Sequence, residues 1–216
     1  MKKNNFLSRR SFIKSTSLVT VGTGSLMLVP KTAFSESKTN QNHLNIIGPK
    51  KGYTPQIGTL ASMLNWMRAE ILLPVQGLSI SELDYLHDEK ANSIGAMLWH
   101  LAATERFYQI HTFEGRNWGD WSENDISKWS IASELGEKAR NSIKGNNLEF
   151  YIQMLNEVRE HTLQELLKRD DDWLMQVDKE WYWGPTNNYC KWFHVCEHES
   201  NHNGQFKFLV NRLPKI

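Results

Sequence analysis

Apolar side chains recur at three- and four-residue steps in four stretches of the chain. Ile57, Leu60, Leu64, Met67 and Ile71 trace the first. Thr54 opens it as N-cap with Pro55 at the first helical position, and it ends near Leu73-Pro74. The second is capped by Asn92 or Ser93 and runs to about Phe113. Its inner face carries Met97, His100, Leu101, Thr104, Phe107, Tyr108 and His111. The third opens at Asn146-Asn147, shows Phe150, Met154, Leu155, Val158, Leu163 and Leu166, and ends at Arg169-Asp170. The fourth spans about Thr186 to Leu213. No stretch carries a convincing strand alternation, so the pattern predicts an all-α fold, an up-down four-helix bundle.

The connections are polar or aromatic. Asp84, Asp88 and Glu89 fill the first. Residues 115–145 read as irregular, with Trp118, Trp121 and Trp129 packing back on the bundle. Trp173 to Pro185 holds aromatic clusters and a Gly-Pro turn signal. There is no repeat of 20–50 residues and no low-complexity tract.

The N-terminus reads as an address. Ser8-Arg9-Arg10-Ser11-Phe12-Ile13-Lys14 resembles the twin-arginine export motif, and a weakly apolar run follows from Ser15 to Pro30. That run is shorter than the roughly 20 apolar residues a membrane span needs. Ala33-Phe34-Ser35 is a small-x-small cleavage site. The expectation is a signal peptide over 1–35, a linker over 36–53 and one domain over 54–216. The mature protein is then periplasmic or extracytoplasmic, with no stable membrane anchor after cleavage.

Removing that segment changes the charge. Residues 1–35 carry six basic side chains and no acid. The remaining 19 basic and 24 acidic side chains leave about −5 with His neutral. An acidic domain without a basic run has no general attraction for phosphate backbones, so nucleic acid is not an expected partner. Cys190 and Cys196, six residues apart on one helix, stand about 120° apart and about 9 Å along the axis, too far for a disulfide. They read as buried structural thiols.

The chemistry lies in the histidines. The last helix contains His194-Val-Cys-Glu-His198-Glu-Ser-Asn-His202. Residues four apart lie about 40° apart around a helix and about 6 Å along it, so neighbouring imidazoles can share one cation. These three border the stripe of Val195, Phe206 and Leu209. His100 brings a fourth imidazole to the inner face of the second helix. Glu197, Glu105 and Glu199 could orient ligand rings, though a solvated face is their commoner place. A ferritin-like di-iron site needs two Glu-x-x-His motifs, and only Glu199–His202 qualifies.

Ser93-Ile-Gly-Ala-Met-Leu-Trp-His100-Leu-Ala-Ala-Thr-Glu105 resembles the second-helix signature of the DinB superfamily. Trp192 through Gln205 resembles its last-helix signature, an H-x-x-x-H running into Arg-Gly-Gln. Asn203 stands where the family has Arg. The resemblance covers about residues 54–214 and implies a DinB-like bundle whose metal ligands are His100, His198 and His202. His194 then lines the site as candidate catalytic residue. Zinc, nickel and iron all suit three imidazoles with open positions.

Such a site can activate a bound thiol or water. Some relatives in the superfamily are transferases or isomerases that use mycothiol, bacillithiol or glutathione. The first expectation is thus a metal-dependent thiol S-transferase-like enzyme taking a low-molecular-weight thiol and a small-molecule substrate. Export counts against it, since such thiols are chiefly cytoplasmic. A metal-water hydrolase and a non-catalytic metal-binding bundle stay open. Trp181 and Trp183, just before the ligand helix, are candidate cofactor-binding residues. A homodimer is the candidate assembly.

Overall fold

The computed structural model describes residues 44–214. The segment read as a twin-arginine signal and its cleavage site, and residues 36–43 of the linker, lie outside the described residues. Among the described residues are eight helices and one two-stranded ladder. In chain order they are α1 (Pro55–Leu72), α2 (Ile80–Leu83), α3 (Ile94–Thr112), α4 (Glu123–Glu134), α5 (Gly136–Ser142), α6 (Leu148–Leu166), α7 (Asp171–Met175), β1 (Val177–Asp178), β2 (Thr186–Asn187) and α8 (Asn188–Val210). The long helices α1, α3, α6 and α8 are the four predicted ones. They close a ring in which α1 meets α8, α8 meets α3, α3 meets α6 and α6 meets α1.

Local chemistry sets most helix starts. Ser93, Asn147 and Asn187 each accept a hydrogen bond from the backbone of the first turn of α3, α6 and α8, satisfying a donor that has no partner inside the helix. Asn92 instead accepts from the Gly136 amide at 3.0 Å. α1 departs from the expected cap. The Thr54 side chain does not cap it but donates to Asp171 Oδ1. That carboxylate itself accepts from the Gln56 and Ile57 amides at 3.1 and 3.2 Å. The end of α1 is therefore held by a residue at the start of α7.

Three expectations need correcting. Residues 115–145 are not irregular. Ser122 caps α4, and α5 follows after Leu135, whose positive φ of 56° makes the break. On α6 the buried aromatic is Tyr151, fully enclosed, while Phe150 is 39 % exposed. Tyr151 fits because residue 95 on α3 is Gly: a Cβ there would meet the Tyr151 hydroxyl at 2.6 Å. Third, the aromatic connection holds a short antiparallel ladder, Val177 opposite Asn187 and Asp178 opposite Thr186. Within the segment read as linker, the Gly48 amide donates to Ser62 Oγ on α1 at 3.1 Å.

The apolar stripes enclose a polar centre. Each long helix contributes one charged residue: Arg68 from α1, Glu105 from α3, Arg159 from α6 and Glu199 from α8, all at most 5 % exposed. Arg68 donates to Glu105 Oε2 at 2.7 Å and Glu199 Oε1 at 2.6 Å. Arg159 donates to Glu105 Oε1 at 2.8 Å and Glu199 Oε1 at 3.0 Å. Thr162 adds a hydroxyl to Glu105 at 2.6 Å. Two cations and two anions cancel, and most of their polar atoms are satisfied, as burial of charge requires. No helix among the described residues is long and apolar enough to cross a membrane.

Candidate metal centre

His100 on α3 faces His198 and His202 on α8. The ring centroids form a near-equilateral triangle, 4.9 Å from His100 to His198, 5.1 Å from His100 to His202 and 4.8 Å from His198 to His202. One nitrogen from each ring lies within 4.8 Å of the others. The four-residue step on α8 supplies two imidazoles to one face, and the ring of helices brings α3 beside it.

A residue outside α3 and α8 orients the first ring. His100 Nδ1 lies 3.0 Å from the Ala132 carbonyl of α4. A carbonyl only accepts, so Nδ1 carries the proton and the Nε2 lone pair points into the triangle. There it meets His198 Nε2 at 2.8 Å. Such an outer partner is how proteins fix the tautomer of a metal-binding His.

Electrostatics keep the rings neutral. Burial pushes His198 down to about 3, aided by the charges His100, His202 and His194 would carry. Burial and His100 push His202 down to about 4. Burial also lowers His100, against the pull of the Ala132 and Ser133 carbonyls. His202 Nδ1 is buried with no hydrogen-bond partner among the described residues. Neutral, convergent imidazoles with a fixed tautomer and an unpartnered buried nitrogen fit a divalent ion with a coordination position left over.

His194 stands one turn before His198, with ring centroids 5.5 Å apart, and lies outside the triangle. Its Nδ1 is 2.8 Å from the Tyr108 hydroxyl. Burial, then Tyr182 and Cys190, raise the Tyr108 pKa well above its ordinary value, so the hydroxyl stays protonated. Burial lowers His194, against the opposing charge of Glu197.

The aromatic segment before α8 divides. Trp183, 45 % exposed, sets its ring 4.9 Å from His194. Trp181 is buried against Tyr108 and His111. The Lys191 ammonium sits 4.4 Å from the Trp181 ring centroid. Lys191 is itself enclosed and bonds Asp178 of β1 at 2.7 Å and His111 of α3 at 2.8 Å. This junction ties the 177–187 hairpin to both α3 and α8.

The structure brings His100, His198 and His202 together and puts His194 and Trp183 beside them, with Trp181 one layer deeper. Two expectations about acids change. Glu105 and Glu199 are neither solvated nor in contact with the rings, because Arg68 and Arg159 take them into the bundle centre. Glu197 is exposed and bonds Asn201. Cys196 is buried and its thiol is pushed up to about 11 by burial and Glu199, but Cys190 is exposed, one turn before His194. Sequence reading assigned no role to Tyr108, to the Ala132 carbonyl or to Lys191. Tyr108 and Lys191 carried a signal: each is a polar group on or beside an apolar stripe.

The sequence profile of the family described as Mycothiol-S-transferase, a DinB-like family, matches residues 59–213. That span runs from the second turn of α1 to just past α8 and includes all three triangle histidines. Among curated proteins, a sequence comparison finds no match.

Proposed function

Because the chain belongs to the mycothiol-S-transferase family, we propose that it is a metal-dependent S-transferase joining a low-molecular-weight thiol to a carbon electrophile. The observation that carries this is the convergence of His100, His198 and His202 with the His100 tautomer fixed by Ala132. A divalent ion held there would lower the pKa of a bound thiol and supply thiolate at neutral pH. The three imidazoles would hold the ion. His194, one turn away, would accept the thiol proton at Nε2, its ring oriented by an Nδ1–H donated to the Tyr108 oxygen. Sulfur then bonds to the electrophilic carbon as the carbon–leaving-group bond breaks, and the leaving group departs with the electron pair. Trp183, whose ring lies 4.9 Å from His194, offers flat apolar contact to the thiol.

The test is metal analysis of the purified protein, then reaction of 1-chloro-2,4-dinitrobenzene with mycothiol, bacillithiol, glutathione and cysteine in turn. The expected result is a metal-dependent S-aryl conjugate and released chloride with one of them. Metal-loaded protein that accelerates none would refute the transferase reading. We also propose, from Arg9-Arg10 and the weak apolar run, that the mature protein leaves the cytoplasm by the twin-arginine route. Export that persists after both Arg are replaced by Lys would reject this.

A further inference from the structure

The Gly-Gln that closes the last-helix motif, Gly204-Gln205, has no part in holding metal. Both residues line a cavity of about 440 Å³ between the loop at 87–92, the start of α3 and the second half of α8. That volume suits a small organic ligand. The cavity shares the helices α3 and α8 with the histidine triangle. Its lining includes Met97, three residues before His100; Asn201, three after His198; and Gln205, three after His202. Three residues are about one helical turn, so each ligand has a lining neighbour on its own helix. The aromatic segment with Trp183 lies toward the opposite end of α8, beside His194.

We infer that this cavity is the electrophile subsite, with thiol and electrophile approaching the triangle from opposite ends of α8. The inference rests on the transferase reading. The lining sets the chemical class. Met97, Phe208 and Leu209 give an apolar surface. Asn92, Asn201 and Gln205 supply amides, and Gln205 is exposed with no hydrogen-bond partner among the described residues. Asp88 is the one carboxylate of the lining, which contains no Lys or Arg. The occupant is therefore an uncharged electrophile with apolar bulk and acceptor groups such as nitro or carbonyl. An anionic one would meet Asp88 with no Lys or Arg in the lining to compensate it, His87 being the one basic side chain there.

Gly204 makes the test clean. A Cβ there meets nothing within 4 Å, and a helical residue other than Gly favours the helix. Gly204→Phe should fill the cavity without unfolding the bundle, and Gly204→Ala should leave it open. The non-reacting probe is 2,4-dinitrotoluene, with binding read by saturation-transfer NMR on metal-loaded protein. Turnover is read with 1-chloro-2,4-dinitrobenzene and the accepted thiol. Wild type and Gly204→Ala should bind the probe alike, while Gly204→Phe weakens it by roughly tenfold or more and raises KM for the electrophile, not for the thiol. Metal content and melting temperature should not fall. Equal probe binding by Gly204→Phe and wild type, or none by the wild type, would overturn the subsite. Absent turnover alongside probe binding that Gly204→Phe abolishes would instead count against the transferase reading and leave the cavity assignment standing.

Discussion

The Nε2 atoms of His100 and His198, from different helices, face each other at 2.8 Å. Because the Ala132 carbonyl claims the Nδ1 proton of His100, the proton between the two Nε2 atoms belongs to His198. A divalent ion needs lone pairs there. Adding zinc to metal-free protein should therefore remove the Nε2 proton of His198 and leave the Nδ1 proton of His100 unchanged. Nitrogen-15 NMR of the imidazoles reads both. A His100 that changes tautomer would show that Ala132 does not orient it.

Replacing His202 by Ala should cost metal occupancy far more than folding. The apolar stripes are complete without it: Leu64, Leu155 and Phe206 are fully enclosed and Leu101 nearly so. Each stabilises the fold by roughly 1.5–3 kcal/mol. Metal at a hundred times its dissociation constant adds about 2.7 kcal/mol by mass action. A chelator should thus lower the melting temperature of the wild type and leave His202→Ala unmoved. Full metal content in the variant would remove His202 from the ligand set.

The buried rings also make acid sensitivity a readout. His198 and His202 sit at about 3 and about 4 in the folded protein, against about 6.5 for an unfolded chain. Between those values the unfolded state binds more protons, so stability is full above about pH 6.5 and falls as pH drops toward 4. Denaturant unfolding in chelator should show this slope, and His202→Ala should flatten it. Measurements above about pH 5.5 keep most of the carboxylate titration out of the window. An unchanged slope would mean that His202 is not held neutral by burial.

The four long helices were legible because each carries an apolar stripe at helical period, and Ser93, Asn147 and Asn187 mark their starts. The triangle was legible because the step from His198 to His202 puts two imidazoles on one face. Other parts depend on contacts between distant segments. Asp171 caps α1 from α7, and no local pattern near Thr54 announces it. Helix α4 is short, with buried side chains only at Trp129 and Ala132, too few for a stripe to stand out. Yet it supplies the carbonyl that orients His100. Glu105 and Glu199 look like surface acids until Arg68 and Arg159 are seen on the facing stripes.

That central quartet leads to an asymmetric prediction. Burial alone would raise the Glu105 carboxyl, but Arg159 and Arg68 bring it down to about 2. Replacing Arg159 by Met removes a partner and leaves an enclosed anion. The expected cost is about 3–5 kcal/mol by denaturant unfolding. Pairing Arg159→Met with Glu105→Gln should recover much of it, because both charges then leave together. A double variant no more stable than the single one would show that the residues act through packing rather than charge.

Lys191 should govern the hairpin rather than the bundle. Its ammonium bonds Asp178 at 2.7 Å and His111 at 2.8 Å, and lies against Trp181. Met has a similar length and suits an enclosed position, so Lys191→Met should leave the core packed. It removes the tie between β1 and α8. The Asp178 side chain is 27 % exposed and water can take over its bonds, which limits the loss to about 1–1.5 kcal/mol. A loss of that size speeds local opening by roughly tenfold. Hydrogen exchange of the amides from Val177 to Asn187 should accelerate by that factor, while amides of α3 and α6 keep their protection. Uniform acceleration would mean Lys191 supports the whole fold. Unchanged exchange in the hairpin would mean that the two-residue ladder and Trp181 packing hold it without the lysine.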